Sequence, residues 1–372
     1  MCVNKRKKIA IIGAGSAACT TALHYYLYGK DIFDKITIYY DPSSPIERVG
    51  QGSTLLFADK LYNAFGLNWY NNNLIKATPK NGILYENWGK KVDEIYHNFP
   101  MAFQAIHFVP ELLSKLLLEC GLFNVVEKRI EDPEKEIDSD FIFDCRGKNN
   151  RDPEIYNQLI SPLNHVILSR KNEVDLKMTH TRCVATPDGW TFVIPNSDSI
   201  SYGYLFNKSI TDIETAKNNF KELFDVEPDI DFHFDNYIAK NIFSGERTIL
   251  NGNRLSFLEP LEATSISFYD WVARSSWDYI VDGVGKDECN NSVQKEMNRI
   301  QTFILWHYQN GSKYDTPFWE YAKSLPFNPD DEFLKILDTT RKKDLYFCRN
   351  EKENLYSQWT LNSFKVWEEN IK

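Results

Sequence analysis

The chain has no long apolar run, no excess of positive charge and no paired cysteines, and each absence excludes a class of protein. The short apolar stretch from Ile9 to Gly13, behind Lys5-Arg6-Lys7-Lys8, turns at once into glycines, so it reads as neither signal peptide nor membrane span. Lys and Arg total 43 against 52 Asp and Glu, a formal net charge of -9. That leaves no basic surface for a phosphate backbone, and a nucleic-acid partner is not expected. The seven cysteines, Cys2, Cys19, Cys120, Cys145, Cys183, Cys289 and Cys348, are odd in number and lack the spacing of zinc sites or redox dithiols. This pattern fits a reducing, cytoplasmic setting. The seven histidines contain no His-x-x-x-His pair, so a protein-bound metal is not expected either. Difficult chemistry would need an organic cofactor.

What is present is an ordinary globular composition, 42% hydrophobic over 372 residues, enough for a large core or two intergrown subdomains. No repeat, low-complexity tract or linker divides it. The run KIAIIGAGSAACTTALHYYL reads as a buried strand from Lys8 to Ile12, a glycine turn, and a helix opening near Ser16. Gly13, Gly15 and Ala18 fit G-x-G-x-x-[GA], with Ser16 and Ala17 between them. Small residues there let backbone amides approach a pyrophosphate and let the helix pack on its strand. A second strand, Lys35 to Tyr40, ends at Asp41, about where an acidic residue grips a ribose hydroxyl. Together these predict a dinucleotide site.

Further along, Ser139 to Gly147 reads as a strand returning to the same sheet, as in FAD proteins, with helices near Lys60 to Phe65 and Val109 to Glu119. From Val166 to Phe206 the pattern becomes β-rich, with turns at Pro187-Asp188-Gly189 and Asn196-Ser197-Asp198, predicting a mainly antiparallel second sheet. After Glu259 the chain reads as helical, with Val293 to Tyr308 periodic. Within FLEPLEATSI (257–266), Glu262 stands among apolar residues, where burial without a partner or a task is costly. The plain alternative is an acidic turn residue before a helix, with Thr264 or Ser265 as N-cap. Lys80, between Pro79 and Asn81-Gly82, reads by itself as a solvated loop lysine. Trp88 and Trp190 read as core aromatics, and His107 as a satisfied core histidine.

Seven separated motifs in order resemble the flavin-dependent halogenases typified by tryptophan halogenases, from about Lys8 to Trp319. Beyond the nucleotide turn, Val49-Gly50-Gln51-Gly52-Ser53-Thr54 resembles the family's VGEAT strap, and KNGILYENW (80–88) its catalytic-lysine region. AIHF (105–108) resembles ALHF, and Asp144-Cys145-Arg146-Gly147 resembles DCSG. GWTFVIP (189–195) resembles W-x-W-x-I-P, FLEPLEATSI resembles EPLESTGI, and His307-Tyr308 with DTPFW (315–319) resembles HY…DTPFW.

The resemblance implies an α/β fold. An FAD-binding Rossmann-like region of the glutathione-reductase and aromatic-hydroxylase type (1–165 and 240–290) is intergrown with an antiparallel substrate region (166–239) and a helical C-terminal part (291–372). It implies that Gly13, Gly15, Ser16, Ala17, Ala18, Asp41, Gln51, Gly52, Ser53, Thr54, Asp144 and Gly252 hold FAD. Lys80 would receive hypohalous acid, and Glu262 would orient it or take the proton lost from the ring. The amides of Thr264 and Ser265 would hold the halide, whether chloride, bromide or iodide. His107, Trp190, Phe192 and Pro195 would face an aromatic substrate. Reduced FAD would come from a separate flavin reductase, and a homo-oligomer stays open.

Three departures matter. Phe192 replaces the second Trp of the signature, which leaves an FAD-dependent aromatic hydroxylase as the alternative, with a non-catalytic flavin-binding protein behind it. Ser265 replaces glycine, which would be strained if φ there were positive. The chain is also shorter than typical tryptophan halogenases, which points to a smaller or externally presented aromatic substrate rather than free tryptophan.

Overall fold

The computed structural model describes residues 6–44, 46, 49–53, 55–99, 105–147, 152–350 and 355–371. Its organising element is the strand Ile9–Ile12, whose four residues are all buried. It is flanked in parallel by Thr37–Tyr40 and Phe141–Asp144, with Ile11 in register between Ile38 and Phe143. A strand covered on both faces has no solvent side to vary, which is why it reads as an unbroken apolar run. Asn124–Glu127 and Thr248–Leu250 complete this five-stranded parallel sheet. The expected return of the 139–147 segment to the first sheet is therefore present, with Phe141–Asp144 as the strand and its polar end at 145–147 outside it.

A seven-stranded sheet carries the β-rich middle of the chain. Its strands His165–Lys171, Thr181–Thr186, Gly189–Pro195 and Ile200–Phe206 pair antiparallel as expected. Gly82–Glu86 joins it parallel to Thr181–Thr186, and Glu94–Asn98 follows at the edge. A small sheet bridges the two larger ones, with Ala105–Phe108 between Gln51–Gly52 and Thr78–Lys80. It sets Gly52 and Thr78 opposite His107, and Lys80 opposite Ala105.

The helix Ser16–Tyr28 packs against Ser265–Ile280, which packs in turn on the long helix Lys286–Asn310. The latter spans the periodic 293–308 segment. The helix Leu361–Ile371 closes the chain, with Phe364 and Trp367 buried. Among the described residues no helix is long and apolar enough to cross a membrane, and no cluster of His, Cys, Asp or Glu could hold a metal ion.

Candidate active site

The nucleotide turn lies at the C-terminal ends of the parallel strands, where open α/β sheets bind their ligands. Gly13 has φ +115°, and a Cβ there would sit 2.7 Å from the Cys145 carbonyl oxygen. Only glycine fits that crossing. At Gly15 a Cβ would meet nothing within 4 Å. The helix behind it has no side-chain cap and no acidic residue in its first turn. Its first amides thus have no side-chain cap among the described residues, and with the positive end of the helix dipole they suit a phosphate. Ala17 and Ala18 are buried, and Gly252 (φ +65°) lies so close that a Cβ would approach the Ala17 methyl to 2.6 Å.

Ser16 donates to Gln51 Oε1 at 2.8 Å, tying the turn to the strap. Asp41 ends its strand as expected and accepts from the Ser43 hydroxyl and amide at 2.6 and 2.9 Å, which hold its carboxyl below the usual range. Asp144 is committed to Arg146 and Arg254, whose guanidinium nitrogens lie at 2.6 and 3.1 Å from Oδ2. Ser53 is buried and braced against Ile106, and Thr54 lies outside the described residues. The small residues, uncapped amides and open space fit the dinucleotide end of FAD.

Lys80 is not the solvated loop lysine that its neighbours imply: it closes a strand and is 1% exposed. Its ammonium donates to the Ser53 carbonyl at 3.2 Å and stands 5.3 Å from the centre of the Phe99 ring. Gly52 makes room for it, since a Cβ there would lie 3.3 Å from Nζ. Burial lowers the Lys80 pKa to about 8, against opposing pulls from Cys183 and Glu262.

Glu262 is likewise not a solvated capping residue. It is buried, with φ 71°, and Ala263 follows at φ 52°. Two successive non-glycine residues in the left-handed region are a strained turn that the surroundings must hold. Glu262 Oε1 accepts from the Tyr85 hydroxyl and faces His307 Nε2 at 2.9 Å. Oε2 accepts from Trp359 Nε1 at 2.9 Å. Burial pushes this carboxyl up, but the His307 hydrogen bond and charge, with His97 and Tyr85, more than offset it and hold it below the usual range.

Glu259, three residues earlier, is pushed by burial the other way, to about 7, despite accepting from the Leu261 amide and the Tyr308 hydroxyl. Carboxylates driven apart in this manner mark a site with divided acid–base roles.

Thr264 is the N-cap of Ser265–Ile280, as one reading expected, but its side chain makes no capping bond. Ser265 opens the helix and is not among the positive-φ residues; the strain expected there falls on Glu262 and Ala263 instead. The Thr264 and Ser265 amides find no acceptor among the described residues.

Lys80, Glu262, Gln51, Gly52, Ser265, Trp190 and Phe192 all line one cavity of about 470 Å³. Within it Lys80 and Glu262 form no ion pair with each other, because each is bonded elsewhere. His107 does not line this cavity: it sits buried between Thr78 Oγ1 at 3.1 Å and Thr181 Oγ1 at 2.8 Å, the satisfied core histidine of the plain reading. Pro195 is also outside the wall, its carbonyl accepting from Thr78. Trp88 is a core aromatic, donating to the Cys183 carbonyl and packed 5.2 Å from Trp319.

Sequence reasoning assigned no role to Tyr85, His97, His307 or Trp359. Of these, Tyr85 lies within the KNGILYENW motif and His307 in the His307-Tyr308 pair, whereas His97 and Trp359 fall in no motif.

The tryptophan halogenase family model matches residues 8–113 and 124–367. The chain belongs to the tryptophan halogenase family. The match continues beyond Trp319, into the C-terminal helix. Tryptophan 6-halogenase ThaL of Streptomyces albogriseolus is 23% identical over 256 residues, 63% of this chain and 47% of that protein. Tryptophan 7-halogenase RebH of Lentzea aerocolonigenes is 26% identical over 155 residues, 39% of this chain and 29% of that protein. The chain thus spans about half or less of the length of these curated relatives.

Among solved structures, the tryptophan 6-halogenase SttH of Streptomyces toxytricini superposes with TM-score 0.75 at 18% identity, covering 98% of this chain and 90% of that one. BrvH, a flavin-dependent halogenase from Brevundimonas sp. BAL3, gives the same score, identity and coverage. At these identities the structures establish the shared tryptophan halogenase fold.

Proposed function

We propose that the protein is an FAD-dependent halogenase acting on an electron-rich aromatic or indole-like substrate. The observation that carries this reading is the convergence of Lys80 and Glu262, from two elements far apart in the sequence, on one cavity with the Ser265 helix start. Bound reduced FAD would supply, with oxygen and halide, the oxidising power that makes hypohalous acid. Gly13, Gly15, Ser16, Gln51 and Gly52 would hold it.

The chain's own residues do the rest. The paired amides of Thr264 and Ser265 suit a halide, which side chains bind poorly. Lys80, with a pKa near 8, has both ammonium and amine available close to neutrality, and so can hydrogen-bond the oxidant or carry its halogen. Glu262, kept ionised, can accept the ring proton. The apolar wall of Trp190, Phe192 and Phe257 keeps water from the oxidant.

A separate flavin reductase in a cytoplasmic setting is the partner this scheme needs. Phe192, on the cavity wall at a signature tryptophan position, favours hydroxylation as the second reading.

The test is incubation with FAD, a flavin reductase, NADH and each of chloride, bromide and iodide over a panel of indoles and phenols, read by mass spectrometry. Halogenated product supports the proposal. Product that gains only oxygen, independent of halide, supports the hydroxylase. Flavin binding without product leaves the non-catalytic reading.

A further inference from the structure

The His307 ring is fixed at both ends. Its Nδ1 lies 2.7 Å from the Phe303 carbonyl, one helical turn back, and its Nε2 lies 2.9 Å from Glu262 Oε1. A peptide carbonyl only accepts, so Nδ1 carries hydrogen. A neutral ring would then turn a bare lone pair toward Oε1, and two acceptors at 2.9 Å repel. One proton therefore lies between His307 and Glu262, on one or the other.

The surroundings favour His307 as its holder. Glu262 already accepts from Tyr85 on Oε1 and from Trp359 on Oε2, and donors converging on a carboxylate favour its charged form. No other cationic side chain among the described residues is hydrogen-bonded to Glu262, and His97 adds only a smaller pull than His307 does. Lys80, from the Thr78–Lys80 strand, is bonded to the Ser53 carbonyl. His97, from Glu94–Asn98, is pushed by burial toward its neutral form and has no partner at Nδ1 among the described residues. Cys183 and Tyr85 are held protonated by burial, and Glu259 is the other carboxyl of the same turn. Trp367 closes the far side of the imidazole, its ring centre 4.2 Å away.

We propose that His307 is a positioning residue that holds the proton shared with Glu262 and so provides the counter-charge keeping Glu262 an oriented carboxylate, which leaves Lys80 free of that duty. The kinetic part of the proposal rests on the halogenase reading; the protonation part does not. Without the imidazolium, a buried Glu262 stays protonated to higher pH, so any step that needs its carboxylate is lost sooner as pH falls.

Side-chain ¹⁵N NMR of the wild-type protein, with the His307 signals assigned by their loss in His307→Gln, reads the protonation directly. Two protonated ring nitrogens are expected, the proton between the two side chains lying on His307. A single protonated nitrogen, with the proton on Glu262, overturns the proposal. For turnover, His307→Gln keeps an N–H donor but removes the charge. It is expected to lower kcat by about 10²-fold, the scale of one acid–base group, with KM for the aromatic substrate kept. The acid limb of the pH profile should move upward. An unchanged kcat and acid limb overturns the proposal. If wild type makes no halogenated product, the functional reading fails while the NMR result still decides the state of His307.

Discussion

The turn at Gly13–Ala18 and the turn at Glu262–Ser265 are both tight, both lead into a helix, and are finished in opposite ways. The first is left open. Among the described residues its helix start has no side-chain cap, and a Cβ on Gly15 would meet nothing within 4 Å. The second is closed on its side-chain face, with every oxygen of Glu262 engaged by Tyr85, His307 or Trp359.

An open turn is selected to receive a ligand's charge, whereas a closed one is selected to hold its own charge in one place. That difference separates binding from chemistry in this molecule: the nucleotide turn should govern affinity for flavin, and the Glu262 turn should govern turnover.

Glu262→Gln probes the separation most strongly. It preserves shape but removes the charge, and product formation should fall about 10²- to 10³-fold while FAD affinity, followed by flavin fluorescence, stays within about twofold. A parallel loss of FAD binding would merge the two regions into one.

Gly13→Ala is the reciprocal test. The left-handed φ and the 2.7 Å approach to the Cys145 carbonyl predict a loss of about 2 kcal/mol in stability and at least a roughly tenfold weaker FAD complex. Urea unfolding and flavin titration measure both.

Lys80→Met separates function from stability on the chemical side. The native amine has its pKa lowered to about 8 from 10.5, so below pH 8 the fold carries a buried ammonium in both native and unfolded accounting. Between about 8 and 10.5 the unfolded chain binds the extra proton, and stability rises with pH. The Met variant should therefore be more stable than wild type at neutral pH by about 3 kcal/mol, with the gap narrowing as pH climbs through that window. Urea midpoints across pH check the sign.

Ser265→Gly has the smallest expected effect. Because the serine opens a helix at ordinary φ, restoring the family's glycine should change halide dependence by no more than about threefold and leave the fold intact.

The same contrast explains what the sequence could disclose. The nucleotide turn is legible because its requirements are local: small residues at fixed spacing, a strand before and a helix after. Glu262 stands out in the sequence as a carboxylate among apolar residues, but its role, like any role for Lys80, comes only through resemblance, since partners do not follow from KNG or PLEA by themselves. The Glu262 cage was illegible because Tyr85, His307 and Trp359 come from three distant elements and leave no periodic trace. Trp359 lies beyond Trp319, where the recognised motifs stop, although the family match runs on to residue 367. The Ser265 departure showed a changed letter, but only backbone geometry shows that the strain sits at Glu262 and Ala263. The resemblance makes His107 and Pro195 substrate residues, yet neither lines the cavity: His107 bonds to Thr78 and Thr181, and the Pro195 carbonyl accepts from Thr78.

In the proposed function Lys80, facing the cavity it shares with Glu262, delivers halogen to an aromatic ring. The direct measurement compares wild type with Lys80→Met in the FAD, reductase, NADH and bromide reaction, after confirming equal FAD binding, with brominated product counted by mass spectrometry. The account predicts product from wild type and none above background from the variant. Equal product from both would contradict it.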